Sequence, residues 1–221
     1  MSFLFSFSKF RFGTFGDDVL TGSDKADVVF ALSGNDTIST GLGNDRIYAG
    51  LGNDIIDAGA GNDRVFAGAG DDIIRAGLGA DFINGGRGYD VALMEGSVTD
   101  YSFGALDARL FRITDSNGDT DRLAKVEAIT FDDGYTLHLD GTNNEVLAAD
   151  DAVDATEDGV STFAIADLLA NDIDFDGDAL TVVGVSATSA EGAAVSIVGT
   201  DITYDPGEIF AALDDGETAT D

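Results

Sequence analysis

The chain has 221 residues, 42 acidic and 11 basic, for a formal net charge of −31, and it contains no cysteine. That field excludes nucleic acid and anionic membrane as partners, and the missing cysteines exclude a disulfide framework and thiol catalysis. A hydrophobic content of 44% argues against an acidic disordered chain, and no apolar run reaches the length of a membrane span.

Residues 1–12, MSFLFSFSKFRF, alternate Phe3, Phe5 and Phe7 with small residues, then place Phe10 and Phe12 around Arg11. A period of two predicts a strand with one apolar face. A secretory leader would carry its charges ahead of the apolar part, whereas Lys9 and Arg11 follow it, and no A-x-A cleavage site is present. The expected role is an N-terminal capping strand over the open first coil of whatever follows.

From Gly13 to Leu93 one nine-residue unit is written nine times: GTFGDDVLT, GSDKADVVF, ALSGNDTIS, TGLGNDRIY, AGLGNDIID, AGAGNDRVF, AGAGDDIIR, AGLGADFIN, GGRGYDVAL. A fixed period outranks local propensity. The sixth place is always Asp: Asp18, Asp27, Asp36, Asp45, Asp54, Asp63, Asp72, Asp81 and Asp90. The eighth is aliphatic, weakening only at Ala92, and the fourth is Gly except at Lys25. Glycines allow a tight turn whose carbonyls converge, and the Asp adds a hard anionic oxygen there. Oxygen donors without His or Cys suit Ca²⁺, not zinc or copper. The candidate ligands are the nine aspartates with the turn residues Gly34, Asn35, Gly43, Asn44, Gly52, Asn53, Gly61, Asn62, Gly70, Asp71 and Gly79. The last three places form a short strand with the central aliphatic side chain inward.

This unit resembles the GGxGxDxUx repeat of RTX (repeats-in-toxin) proteins. The resemblance implies a right-handed parallel β-roll with Ca²⁺ between turns of neighbouring coils. Ala or Thr in most first places, Lys25 and Ala92 depart from the pattern; Lys25 weakens its turn as a site, and the ninth repeat marks the end of the roll. The seventh and ninth places independently support a coil of 18 residues, because Phe30, Tyr48 and Phe66 recur at that spacing, as do Arg46 and Arg64. Two sheets should therefore stack like on like, an aromatic ladder with arginines beside it on one and Ile55–Ile73–Val91 on the other. Ordinary ladder stacking and a docking surface both account for such columns. Each ion should lie between one repeat and the next but one, giving about seven ions.

Residues 94–142 lose the repeat and read as short antiparallel strands with turns at Asn117-Gly118 and Asp133-Gly134. They resemble the segment that closes RTX rolls, through Asp100-Tyr101 and the run Asp121, Leu123, Val126, Glu127, Ile129, Phe131, Asp133, Gly134. Asp115, Asn117, Asp119 and Asp121 suit either an ion or plain turns. His138, the only histidine, alternates with Leu137 and Leu139 as a half-exposed strand residue and makes a poor catalytic base.

Residues 143–150 read as a linker. Residues 151–221 predict strands around Ser161–Ile165, Leu180–Ser186, Ala194–Val198 and Asp201–Tyr204, with a short helical segment at Asp167–Leu169. The runs TEDG, LLANDIDFDGDALTV and ITYDP resemble bacterial cadherin-like or Ig-like tandem domains. Such domains continue past a DGETATD-like run into a further strand, so the stop at Asp221 predicts an incomplete sandwich with a mobile C-terminus. The alternation Asp172, Asp174, Asp176, Asp178 predicts a Ca²⁺ loop, with Asp151, Glu157 or Asp158 as additional ligands. It is no EF-hand, because Val183 stands where the bidentate Glu belongs.

The expected molecule is all-β: a right-handed parallel β-roll of nine nonapeptide repeats, a C-terminal antiparallel cap and a partial β-sandwich. Its expected role is a calcium-dependent, non-catalytic module of a larger secreted or cell-surface protein, folding after type I export from a Gram-negative bacterium, as the RTX resemblance implies. The alternatives are the non-catalytic part of a secreted hydrolase and an adhesin segment binding a partner or glycan through a roll face. No triad, HExxH helix, nucleophile elbow or phosphate loop is written in the chain.

Overall fold

The computed structural model describes residues 9–107, 110–156, 159–211 and 218–221. Two compact units divide at Asn143/Asn144.

The first unit opens with β1 (Lys9–Phe12), and the repeats supply β2 (Val19–Ser23), β3 (Asp27–Ser33), β4 (Thr37–Gly41), β5 (Arg46–Leu51), β6 (Ile55–Asp57), β7 (Arg64–Ala69), β8 (Ile73–Arg75), β9 (Phe82–Arg87) and β10 (Val91–Met94). Strands of odd number join one parallel sheet and strands of even number the other, so successive strands alternate sheets and one coil consumes two repeats. The register is a shift of 18 throughout: Phe30 faces Tyr48, Tyr48 faces Phe66, and Ile55 faces Ile73. β1 continues the rule, pairing Phe12 with Phe30, and so covers the edge of the first complete coil. Phe3, Phe5 and Phe7 lie outside the described residues.

The interior is filled by the eighth place, with Ile38, Ile47, Ile56, Val65, Ile74 and Ile83 at 0–1% exposure. The first place also points inward: Ala31, Ala49, Ala58, Ala67 and Ala76 are buried, and buried Thr40 donates its hydroxyl to the Ala58 carbonyl at 2.8 Å. The departures from Gly at that place therefore fill core space between facing sheets. The sixth, eighth and first places face inward by strict alternation, which buries the aspartates beside the aliphatics.

Outward, the ladder is longer than the three aromatics expected. Ring centroids lie 5.4 Å apart for Phe12–Phe30, 4.9 Å for Phe30–Tyr48 and 5.1 Å for Tyr48–Phe66, and Phe82 closes the row tilted at 5.8 Å. Arg46 and Arg64 stand in register beside it, although the described residues hold no cation–π contact.

The cap comprises a 3-10 turn (Val98–Asp100), then β11 (Ser102–Asp107), β12 (Leu110–Thr114), β13 (Thr120–Ala124), β14 (Ala128–Phe131) and β15 (Thr136–His138). β13 pairs in parallel with β9 and β14 with β10, so each roll sheet gains a rung before turning antiparallel through β12–β11 and β15. The expected turns are present, with Gly118 at φ 91° and Gly134 at φ 90°. His138 is half-buried, its Nδ1 3.2 Å from the Tyr89 hydroxyl.

The second unit is a three-stranded antiparallel sheet of β16 (Ser161–Ala164), β17 (Ala194–Val198) and β18 (Asp201–Asp205), in the order β16-β18-β17, with a short α1 (Ile165–Leu168). The strand expected over residues 180–186 is absent: that stretch has no regular pairing, and Val183 is 99% exposed, with no layer among the described residues to bury it. Most of the segment 143–150, read as a linker, bonds into this unit from residue 144 onward, with Leu147 bridging Ile173 and Ala149 N–H donating to Asp172.

Candidate metal centre

The turns carry two side-chain ladders that run in opposite directions. In the first, each sixth-place aspartate from Asp36 onward accepts the backbone N–H of the aspartate one coil earlier. Asp36 accepts from Asp18, Asp54 from Asp36 and Asp72 from Asp54, each at 2.8 Å, and Asp90 from Asp72 at 3.0 Å. On the other side Asp45 accepts from Asp27 at 2.6 Å, with Asp63 and Asp81 following at 2.7 Å. In the second ladder the fifth-place side chain accepts from the coil after it: Asn35 from Asn53, Asn44 from Asn62, Asn53 from Asp71, Asn62 from Ala80 and Asp71 from Tyr89, at 2.8–3.0 Å. The sequence signalled only local polar support here, because donors such as Ala80 and Tyr89 obey no side-chain pattern.

The fourth-place glycine is required twice over. Gly52 has φ 118°, and a Cβ there would collide with the Gly34 carbonyl of the coil below. Only Gly serves such a stack. Gly34, Gly43, Gly61, Gly70 and Gly79 share the positive φ, whereas Gly16 and Lys25, each in the first turn of its column, do not. The first turn of each column therefore has a different backbone from the turns stacked above it.

What remains is one carboxylate oxygen per turn with no protein partner. Asp36, Asp45, Asp54, Asp63, Asp72, Asp81 and Asp90 are 0–2% exposed, their Oδ1 is taken by the ladder, and their Oδ2 is buried and unbonded. Asp27 is turned the other way, its Oδ2 accepting from Ser23 and its Oδ1 left over. Asp18, at the open end, accepts from Thr14. An unpaired buried carboxylate is costly, and the cost is visible in its acidity. Burial first, and then the charge of the adjacent coil's aspartate, pushes Asp54 and Asp63 up to about 6 and Asp72 to about 7, while burial and then the charge of Asp121 push Asp81 to about 8. Burial raises Asp36, Asp45 and Asp90 as well.

Columns of orphaned, desolvated, hard oxygens beside stacked carbonyls fit a cation of the Ca²⁺ class. Among the described residues no three acidic or histidine side chains converge on one point. Each site would combine one or two carboxylates with turn carbonyls.

The second unit uses its acids differently. Asp174 Oδ1 accepts the N–H groups of Asp176, Gly177 and Asp178; Asp172 accepts from Ala149, and Asp176 from the backbone and amide of Asn144. The structure does not gather Asp172, Asp174, Asp176 and Asp178 around one point; they close a loop and pin the preceding segment. Glu157 and Asp158 lie outside the described residues.

Comparison with known proteins agrees with both halves. The RTX calcium-binding nonapeptide repeat matches in four copies, at residues 12–47, 31–65, 39–74 and 57–92, and a cadherin-like domain matches residues 141–215. No curated protein sequence matches. Among solved structures, the extracellular lipase LipA from Serratia marcescens is similar over 57% of this chain and 15% of its own, with 16% identity and a TM-score of 0.29.

Proposed function

We propose that this chain, which carries calcium-binding RTX nonapeptide repeats followed by a cadherin-like domain, is a module that folds when calcium is supplied, as part of a larger secreted or cell-surface protein. The observation that carries this reading is the pair of columns of buried aspartates, each with one unbonded oxygen. Ca²⁺ supplies the positive charge that such oxygens lack. Without it, the coils can stack only by protonating these acids or by burying like charges one coil apart. The aspartates thus act as a gate on coil stacking, opened by millimolar external calcium at sites of roughly 10⁻⁴–10⁻³ M affinity. The sixth-place aspartates with the turn backbone of the neighbouring coil are the proposed ligands. Seven pairs of repeats one coil apart set about seven ions between repeats. Type I export in an unfolded state follows from the same gate.

Circular dichroism with and without Ca²⁺, paired with ion counting, tests it. The expected result is a calcium-dependent gain of β-structure that a chelator reverses; a chain fully folded in chelator sinks the reading.

A second reading is adhesion through the sheet that carries Phe12, Phe30, Tyr48 and Phe66. It is favoured by that unbroken outward ladder, Phe12 66% and Tyr48 37% exposed with Phe30 and Phe66 half-buried between their neighbours, beside Arg46 and Arg64. Replacing Tyr48 and Phe66 with Ala should then abolish partner or glycan capture without moving the calcium midpoint. Capture that survives the replacement excludes this face. A parent protein with a hydrolase elsewhere is compatible with either reading.

A further inference from the structure

Both aspartate columns continue into the cap. Asp81 donates its N–H to Asp121 Oδ1, and Asp90 donates to Glu127 Oε2, each at 2.8 Å. This is the bond that joins Asp54 to Asp72 at 2.8 Å within the roll. Two residues of a non-repetitive segment thus occupy the places where two further repeats would put their aspartates.

The likeness extends to a backbone oxygen. At the open end of the roll, a Cβ built on Gly13 would lie 2.8 Å from Asp18 Oδ2 and collide with the Ala31 carbonyl. At the closed end, a Cβ on Gly85 would lie 2.5 Å from Asp90 Oδ2 and collide with the Lys125 carbonyl. The Lys125 carbonyl therefore stands where the first place of a following repeat would put its own. Lys125 is held at φ 52°, a left-handed conformation that a residue with a Cβ adopts only where its surroundings hold it there. Asp90 is 0% exposed and its Oδ2 has no partner.

In the other column Asp81, 2% exposed, likewise has an unbonded Oδ2. Asp121 is 8% exposed, and beside it a cavity of about 40 Å³ is lined by Gly77, Gly79, Glu95, Asp115 and Asp119. No lysine or arginine other than Arg75, which pairs with Glu95 at 3.7 Å, lines that cavity.

We infer that the cap adds one divalent-cation site to each column: one between Asp90, the Lys125 carbonyl and Glu127, the other between Asp81 and Asp121. The inference rests on the calcium reading of the repeats and extends it, because the cap becomes a ligand donor as well as a cover. A cation there also answers the crowding of like charges, since Asp121 faces Asp81 across a buried contact and Glu127 faces Asp90 across a part-buried one.

The test is ion counting on the full chain by equilibrium dialysis against Ca²⁺ with elemental analysis. Glu127→Gln and Asp121→Asn keep the carbonyl oxygen that accepts the Asp90 or Asp81 N–H, so the register survives. Each should lose one bound ion at saturation, with a far-UV spectrum that matches the parent. Should one variant fail to fold, the other still decides for its own column. Unchanged counts in the cap variants, with ions lost in Asp54→Asn/Asp72→Asn, overturn the cap sites alone. Unchanged counts in all of them overturn the repeat sites as well.

Discussion

Leu32 is held at φ 82° in the second place of its repeat, where Gly41, Gly50 and Gly59 have φ of 96°, 123° and 92°. A side chain in the left-handed region costs about 1–2 kcal/mol, part of which a glycine returns through its freer unfolded state. Leu32 is 41% exposed, so little buried area is lost by removing it. Leu32→Gly should therefore stabilise the calcium-loaded protein by about 1 kcal/mol, read as a higher thermal midpoint; an unchanged or lower midpoint would show that Leu32 has a packing role. The reverse holds at Gly52, where the backbone conformation and the Gly34 carbonyl both refuse a side chain.

Each strand contributes few residues, and its stability comes from stacking on the rungs above and below. Ile56 is 1% exposed and stacks between Ile38 and Ile74 in the register of three parallel strands. Ile56→Ala leaves a cavity that neither neighbour can fill and should cost about 2–5 kcal/mol in the loaded state, measured by chemical denaturation at saturating Ca²⁺. At this scale the sequence was most legible. The 18-residue recurrence of Phe30, Tyr48 and Phe66 revealed the sheets, and the unbroken sixth place revealed the columns. The fifth-place ladder was hidden because its donors are backbone groups of any residue, Ala80 and Tyr89 included. Glu127 reads in the sequence only as part of a closing motif, since nothing in its spacing from Asp90 marks it as the next carboxylate in a column. The strand expected over residues 180–186 failed for another reason: alternating apolar residues such as Val183 specify a strand only where a second layer exists to bury them.

At the scale of the whole molecule, the 11 basic residues all lie at or before Lys125, so the second unit has no lysine or arginine of its own to set against its acids. In the roll the folded acids sit far above the open-chain carboxylate value of 3.8: about 6 for Asp63, about 7 for Asp72 and about 8 for Asp81. A folded state with raised acidity constants binds more protons than the open chain. Its stability is thus fully present below the open-chain value and drains away as pH climbs through the folded values, between about 4 and 8. Cation-free protein should accordingly show more β-structure at pH 5 than at pH 7.5 by circular dichroism, and at the higher pH calcium should restore it. Equal spectra at both pH values without calcium would show that burial does not trap those protons. Calcium must displace protons as it binds, so its midpoint should rise as the solution is acidified.

The alternation of successive strands between two sheets also limits how such a chain can change length. Removing residues 49–66 would excise a complete turn of the spiral and splice matching edges together. Removing residues 49–57 alone would act like a frameshift: Phe66 and Phe82 would cross to the wall opposite Phe30 and Tyr48, and Asp63 would follow Asp36 instead of Asp45, while Asp121 and Glu127 stayed with Asp81 and Asp90. Growth or shrinkage by whole turns is silent to the fold, and by half turns it is not.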